Sequence, residues 1–117
     1  MEKKVEFKVG DETLRGSLFT PSGNGPFPGV IFYHGRGSDR IRCVPMAKTL
    51  SENGIMGLAF DFRSCGQSDG EFPKQTHRMG VEDAIAGLEF LLSQSIQKDR
   101  VGIQGTSFGG YVTGMLL

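Results

Sequence analysis

Apolar and polar residues alternate near the start of the chain, before a change of pattern at about residue 28. Residues 5–9 and 14–18 each alternate with a period of two, and residues 10–12 between them include Gly10 and Asp11. This period is typical of strands with one buried face, and glycine and aspartate favour turns. The pattern predicts an antiparallel β-hairpin that ends at a loop rich in proline and glycine, residues 21–28.

Three continuous apolar runs follow, at residues 30–33, 55–60 and 101–103. Short runs of this kind predict strands that are buried on both faces of a sheet. Helical spacing predicts helices over residues 44–53 and 81–92, and a further helix from residue 108 to 117. Alternating strands and helices imply parallel strands joined by right-handed crossovers, with the hairpin at one edge of an α/β fold. The residues expected on the buried sides of the first two helices are Met46, Ala47, Leu50, Val81, Ala84, Ile85, Leu88, Leu91 and Leu92.

The length and amino-acid composition of the chain exclude several classes of function. The 117 residues predict a single domain, and 13 basic residues balance 13 acidic ones, so no net field favours nucleic acid or an anionic membrane. The apolar runs are too short to span a bilayer, and residues 1–10 lack the apolar region of a signal peptide. Cys43 and Cys65 form no metal-binding spacing, so we expect a cytoplasmic protein without a disulfide or a metal site. The serine chemistry that the next motif indicates implies no organic cofactor.

A G-x-S-x-G motif follows the third apolar run and precedes a helix, in residues 105–110. A strand that turns at once into a helix holds the residue at the bend in a strained conformation with its side chain exposed. Gly105 and Gly109 meet the need for side-chain-free neighbours, since the two backbones approach closely there. We therefore expect an exposed Ser107 hydroxyl, with the Phe108 N–H directed to the same point at a helix N-terminus.

Two loops at the ends of the other predicted strands face the same sheet edge. After the first strand, a glycine-containing loop can direct the backbone N–H of Arg36, or second of Gly35, at the serine, while His34 is expected to fix the loop by hydrogen bonds. After the second strand, Asp61 is expected to accept local N–H bonds rather than serve as a triad acid.

Three further residues have structural interpretations. Arg63 is expected to pair with a nearby carboxylate, and His77 to lie on the surface or at a helix cap. Cys65 has no histidine or helix N-terminus placed to activate it, so a nucleophilic role is not expected.

Three segments in this order carry a resemblance to a known family: the strand ending in His34-Gly35, FDFRSCGQSDG at 60–70 and DRVGIQGTSFGG at 99–110. The chain resembles the N-terminal part of the α/β-hydrolase superfamily, in the branch of dienelactone hydrolases, feruloyl esterases and prolyl-oligopeptidase-type domains. The resemblance covers nearly the whole chain. It implies that Ser107 is a nucleophile acting on small esters, with the N–H groups of Phe108 and Arg36 as the oxyanion hole. Ser64 departs from the glycine that is usual in relatives.

The resemblance also implies a triad acid and a histidine later in the chain than the serine. Neither can be assigned here, so we expect residues 1–117 to be a partial α/β-hydrolase domain that lacks its C-terminal half and has little activity alone. A serine peptidase of the prolyl-oligopeptidase type is an alternative, and an inactive truncated product or interaction module is another. A dinucleotide-binding domain ranks last, because it needs G-x-G-x-x-G at the first turn from strand to helix, and neither HGRGS nor GTSFGG fits that motif. The exposed edge of the third parallel strand predicts self-association of the isolated chain.

Overall fold

A computed structural model describes residues 1–71 and 76–116. The hairpin strands are β1 (Glu2–Val9) and β2 (Glu12–Phe19), and they pair in antiparallel register from Glu2 opposite Phe19 to Val9 opposite Glu12. The remaining strands are β3 (Phe27–Tyr33), β4 (Met56–Phe60) and β5 (Ile96–Gly105), and the helices are α1 (Val44–Glu52), α2 (His77–Leu92) and α3 (Phe108–Leu116). A short 3₁₀ helix, Arg40–Arg42, precedes α1.

The five strands form one sheet in the order β1-β2-β4-β3-β5. β3 pairs in parallel with both β4 and β5, and β2 joins the hairpin to β4 in antiparallel register. The α/β class, the parallel strands and the hairpin at one edge are thereby confirmed. Because β3, β4 and β5 are parallel, their carboxyl ends bring His34, Asp61 and Ser107 to one edge of the sheet.

The two faces of the sheet have cores of different size. The larger contains an aromatic group in which Tyr33, Phe60 and Phe62 pack mostly edge to face, with α2 and α3 over it. The smaller lies under α1, where Ala47 packs on Gly57 of β4. A Cβ atom on Gly57 would lie 3.1 Å from the Ala47 Cβ, so this pair of small residues allows close approach of α1 to the sheet.

Two predictions about these elements differ from the structure. Val101 and Ile103 are only partly buried, because β5 has one partner strand, β3, among the described residues. Met46 and Ile85 were expected inside but are 54% and 43% exposed, since each lies at the margin of its helix's buried stripe. The polar composition of residues 61 to about 76 also predicts a loop, and the last predicted helix runs to residue 117. Residues 72–75 and residue 117 lie outside the described residues, so these parts are not tested.

No helix within the described ranges is both long and apolar enough to cross a membrane.

Candidate active site

Ser107 lies at the bend between β5 and α3. Its φ of +54° is in the left-handed region, although serine lacks glycine's freedom there, and its side chain is exposed. The N–H of Thr106 donates to the Tyr33 carbonyl at 3.1 Å, which holds the bend against the end of β3. As the first residue of α3, Phe108 has an N–H without an intrahelical acceptor.

Gly105 and Gly109 lie where backbones approach too closely for a side chain. A Cβ atom on Gly109 would collide with the Tyr33 carbonyl oxygen and lie 2.6 Å from its carbon. On Gly105 it would collide with the Gly109 carbonyl oxygen and the Thr113 hydroxyl. Since the obstructing atoms are mostly backbone, rotamer changes alone cannot make room. The two glycines therefore let the bend form directly at the end of the sheet.

The loop after β3 passes beside this serine. The Ser38 N–H donates to the Gly35 carbonyl at 3.0 Å and closes a four-residue turn. Gly37, at the third position of the turn, has a φ of +73°, which glycine adopts without strain. A Cβ atom on Gly35 would lie 3.5 Å from the Ser107 Cβ, so the turn and the serine are in direct contact range.

His34 is 2% exposed, and its ring fixes this loop through two hydrogen bonds. Its Nε2 accepts the Phe62 N–H at 3.1 Å, so the ring proton is on Nδ1, which donates to the Gly35 carbonyl at 2.7 Å. Burial lowers the pKa of His34 and favours the neutral ring. Both ring nitrogens are thus occupied within the scaffold, and neither contacts Ser107.

Asp61 is buried in a polar network under the same loop. Its carboxylate accepts the backbone N–H groups of Arg40 at 2.7 Å and Gln67 at 3.0 Å, and it pairs with the Arg40 guanidinium. The guanidinium also donates to Ser17 and Gln67 side chains, at 3.1 and 2.9 Å. Every described partner of Asp61 is therefore structural. The sequence interpretation did not include Arg40, because a buried arginine 21 residues away leaves no local pattern.

Arg63 joins the next loop to α2. Its Nε donates to Asp83 at 2.6 Å, and a terminal nitrogen donates to Glu82 at 2.8 Å. Burial raises the pKa of Asp83 to about 6, an effect that the hydrogen bonds and charge of Arg63 oppose. Burial also raises the pKa of the Cys65 thiol, which keeps it protonated and unreactive.

His77 is the first residue of α2, and the cap itself is Thr76, whose hydroxyl accepts the Met79 N–H at 3.1 Å. The His77 ring lies 4.7 Å from the Tyr111 ring and 5.5 Å from that of Phe108, measured between centroids. The sequence interpretation missed this contact between α2 and α3. The only signal for it was the spacing of Phe108 and Tyr111 by three residues on one helix.

An open depression of about 380 Å³ adjoins the serine. Its lining combines the loop after β3, the bend after β5 and one further arginine: Gly35, Arg36, Gly37, Ser38, Arg42, Thr106 and Ser107. Arg42 was not identified from the sequence, since it is 65 residues from Ser107. The described residues contain no group of three or more histidine, cysteine or carboxylate side chains that could hold a metal ion.

The sequence and the fold of this chain are similar to those of known hydrolases. The Prolyl oligopeptidase family matches residues 46–117, more than half of the chain. An uncharacterized 31.7 kDa protein of Escherichia coli is 36% identical over 92 residues, which are 77% of this chain and 32% of that protein. The chain thus spans about a third of the length of this relative.

Two solved structures extend the likeness to nearly all of the chain. The α/β hydrolase GrgF of Penicillium sp. is 32% identical with a TM-score of 0.83, and the match covers 97% of this chain and 40% of the GrgF chain. An esterase of Pyrococcus furiosus is 31% identical with a TM-score of 0.77, and the match covers 96% of this chain and 44% of that one. The element order, the bend at Ser107 and these matches agree: the chain belongs to the prolyl oligopeptidase family and has the fold of the N-terminal part of an α/β hydrolase.

Proposed function

We propose that the protein is a serine hydrolase that cleaves carboxylic esters through an acyl-enzyme on Ser107. The observation that carries the proposal is the left-handed backbone of Ser107, with a φ of +54°, at a bend that exposes its side chain beside the loop after β3. Such strain in a residue other than glycine costs about 1–3 kcal/mol and clusters at functional sites. The likeness to the Pyrococcus furiosus esterase supports an ester as substrate.

In the proposed reaction, the Ser107 Oγ attacks the ester carbonyl carbon while its proton passes to a base. The carbonyl oxygen becomes negatively charged and accepts the N–H of Phe108 and that of Arg36, with Gly35 as the second candidate on the same loop. Each such donor contributes about 3 kcal/mol to transition-state binding. The C–O bond then breaks and the alcohol leaves with the proton. Water attacks the acyl-enzyme in the same way, releases the acid and restores the serine.

The base is proposed to be a histidine beyond residue 117, oriented by an acid in the order that α/β hydrolases use. His34 is unsuited because both of its ring nitrogens are hydrogen-bonded within the scaffold. A serine hydroxyl without a base is a weak nucleophile, so we expect residues 1–117 alone to be catalytically poor.

A serine peptidase is the second candidate, favoured by the match to the Prolyl oligopeptidase family. An ester and the corresponding amide with the same acyl group distinguish the two activities. We expect the full-length protein to hydrolyse the ester with the higher kcat/KM by a margin beyond their difference in intrinsic reactivity. Equal acceleration of both substrates over their uncatalysed rates would favour the peptidase.

A fluorophosphonate probe tests the nucleophile directly. We expect the full-length protein to be labelled at Ser107, and Ser107→Ala to lose the label. Ser38→Ala removes another hydroxyl from the same depression and should leave labelling unchanged. An unlabelled wild type, or a label that persists in Ser107→Ala, would contradict the proposal and favour a non-catalytic protein.

A further inference from the structure

We propose that the substrate of this site carries a carboxylate, which binds the Arg42 guanidinium in the depression beside Ser107. The inference rests on the proposed function, because it names the substrate class of the same site. Arg42 and Ser107 both line the depression, and its described lining contains no acidic residue.

Arg42 is the last residue of the 3₁₀ helix, and its side chain is exposed. Hydrogen bonds at both ends of this helix fix the Arg42 backbone. Cys43 donates its N–H to the Arg40 carbonyl at 2.8 Å, and Asp39 caps the other end of the helix. Unlike Arg40, which is occupied by Asp61, Arg42 has no side-chain hydrogen bond or ion pair with another described residue. A guanidinium in this position can form two parallel hydrogen bonds with a carboxylate.

Nearby acidic groups are directed elsewhere. The Asp39 carboxylate accepts the Ile41 N–H at 3.0 Å and lines the neighbouring depressions beside Gly66 rather than the one at Ser107. Asp61 is buried against Arg40. The exposed Arg42 guanidinium would therefore attract an anionic substrate group and disfavour a cationic one.

The depression is open to solvent, with a volume of about 380 Å³, and both Ser107 and Arg42 line it. A short acyl chain that ends in a carboxylate can therefore place its ester carbonyl at Ser107 and its carboxylate at Arg42. Half-esters of short dicarboxylic acids are therefore the class that the site suits.

A matched pair of p-nitrophenyl glutarates tests the inference in the full-length protein. One is the half-ester with a free carboxylate, and the other has this carboxylate capped as a methyl ester. We expect wild type to prefer the anionic substrate, and Arg42→Ala to lower its kcat/KM by roughly 10- to 100-fold, as for loss of hydrogen bonds to a charged group. The neutral ester should change less than about twofold, since it makes no charged contact.

Further variants separate charge from folding. Arg42→Lys keeps the charge without the paired geometry and should retain part of the preference, whereas Arg42→Gln should lose it. Arg100→Ala removes an exposed arginine of β5 that is outside the depression and should change neither substrate. High salt should weaken the preference by screening.

The outcomes distinguish this inference from the proposed function. If Ser107 is labelled but Arg42→Ala affects both esters equally, or wild type shows no preference, the carboxylate site is wrong and the serine hydrolase stands. If Ser107 is not labelled, both fail. A selective loss on the anionic ester supports both.

Discussion

Replacing Asp61 separates a structural carboxylate from a catalytic one. In Asp61→Ala, the backbone N–H groups of Arg40 and Gln67 lose their acceptor, and the Arg40 guanidinium, 3% exposed, loses its counter-charge. Removing one partner of a buried ion pair costs about 3–5 kcal/mol, because the other charge remains buried without compensation. This figure already includes part of the hydrogen bonding that the two N–H groups lose, so no separate penalty is added for them. We therefore expect the free energy of unfolding to fall by about 4 kcal/mol.

The assay uses the full-length protein and combines urea unfolding, followed by circular dichroism, with the rate of fluorophosphonate labelling under native conditions. The double variant Asp61→Ala/Arg40→Met removes both charges and should recover part of the lost stability. Asp69→Ala is the matched control, since this carboxylate also accepts a backbone N–H, from Thr13 at 2.9 Å, and pairs with Arg15, but is partly exposed. It should destabilise the protein much less than Asp61→Ala.

The labelling rate decides between the two roles. If Asp61 is structural, Asp61→Asn should destabilise the protein and leave the labelling rate of the folded fraction nearly unchanged. An Asp61→Asn protein with wild-type stability and a labelling rate reduced by roughly 100-fold or more would refute the reasoning and make Asp61 the triad acid.

Three other predictions concern stability and assembly. Ser64 has a φ of +69°, a left-handed conformation that costs a non-glycine residue about 1–2 kcal/mol. Ser64→Gly removes this strain but gives the unfolded chain more conformational freedom, so the free energy of unfolding should rise by a net of roughly 0.5–1 kcal/mol. A lower midpoint in urea unfolding would contradict this prediction. The pKa of Asp83 is raised from 3.8 to about 6, so the native state holds a proton that the unfolded state loses between these values. Wild type should therefore lose roughly 1–3 kcal/mol of stability relative to Asp83→Asn between pH 4 and 7, and a pH-independent difference in urea unfolding would disprove it. We also propose that the isolated chain self-associates through the exposed edge of β5. Gly102→Lys should reduce this self-association in size-exclusion chromatography, and the lysine fits because its Cβ would have an ordinary 3.7 Å contact with Val30. A monomeric wild-type chain would count against the proposal.

Several features could be predicted from the sequence because their causes lie within a few residues. The bend at Ser107 needs glycine two positions before and two after it, and this requirement is visible in a six-residue motif. Thr76 shows the limit of such patterns: it caps α2, yet the apolar spacing predicted a start at residue 81, because Met79 is the single large apolar side chain in the first turn, residues 77–80. The helix therefore begins earlier than its stripe of large apolar side chains.

What the sequence alone determined was the alternation of strands and helices, the hairpin and the serine at a strained bend, since each follows from the spacing of neighbouring side chains. Only the tertiary structure decided that Arg40 neutralises Asp61 and that Arg42 lies beside Ser107. Such partners are separated by 21 and 65 residues, and their proximity depends on how the parallel strands align at one edge of the sheet. No local pattern records that alignment, because burial and charge pairing arise only when distant segments pack together.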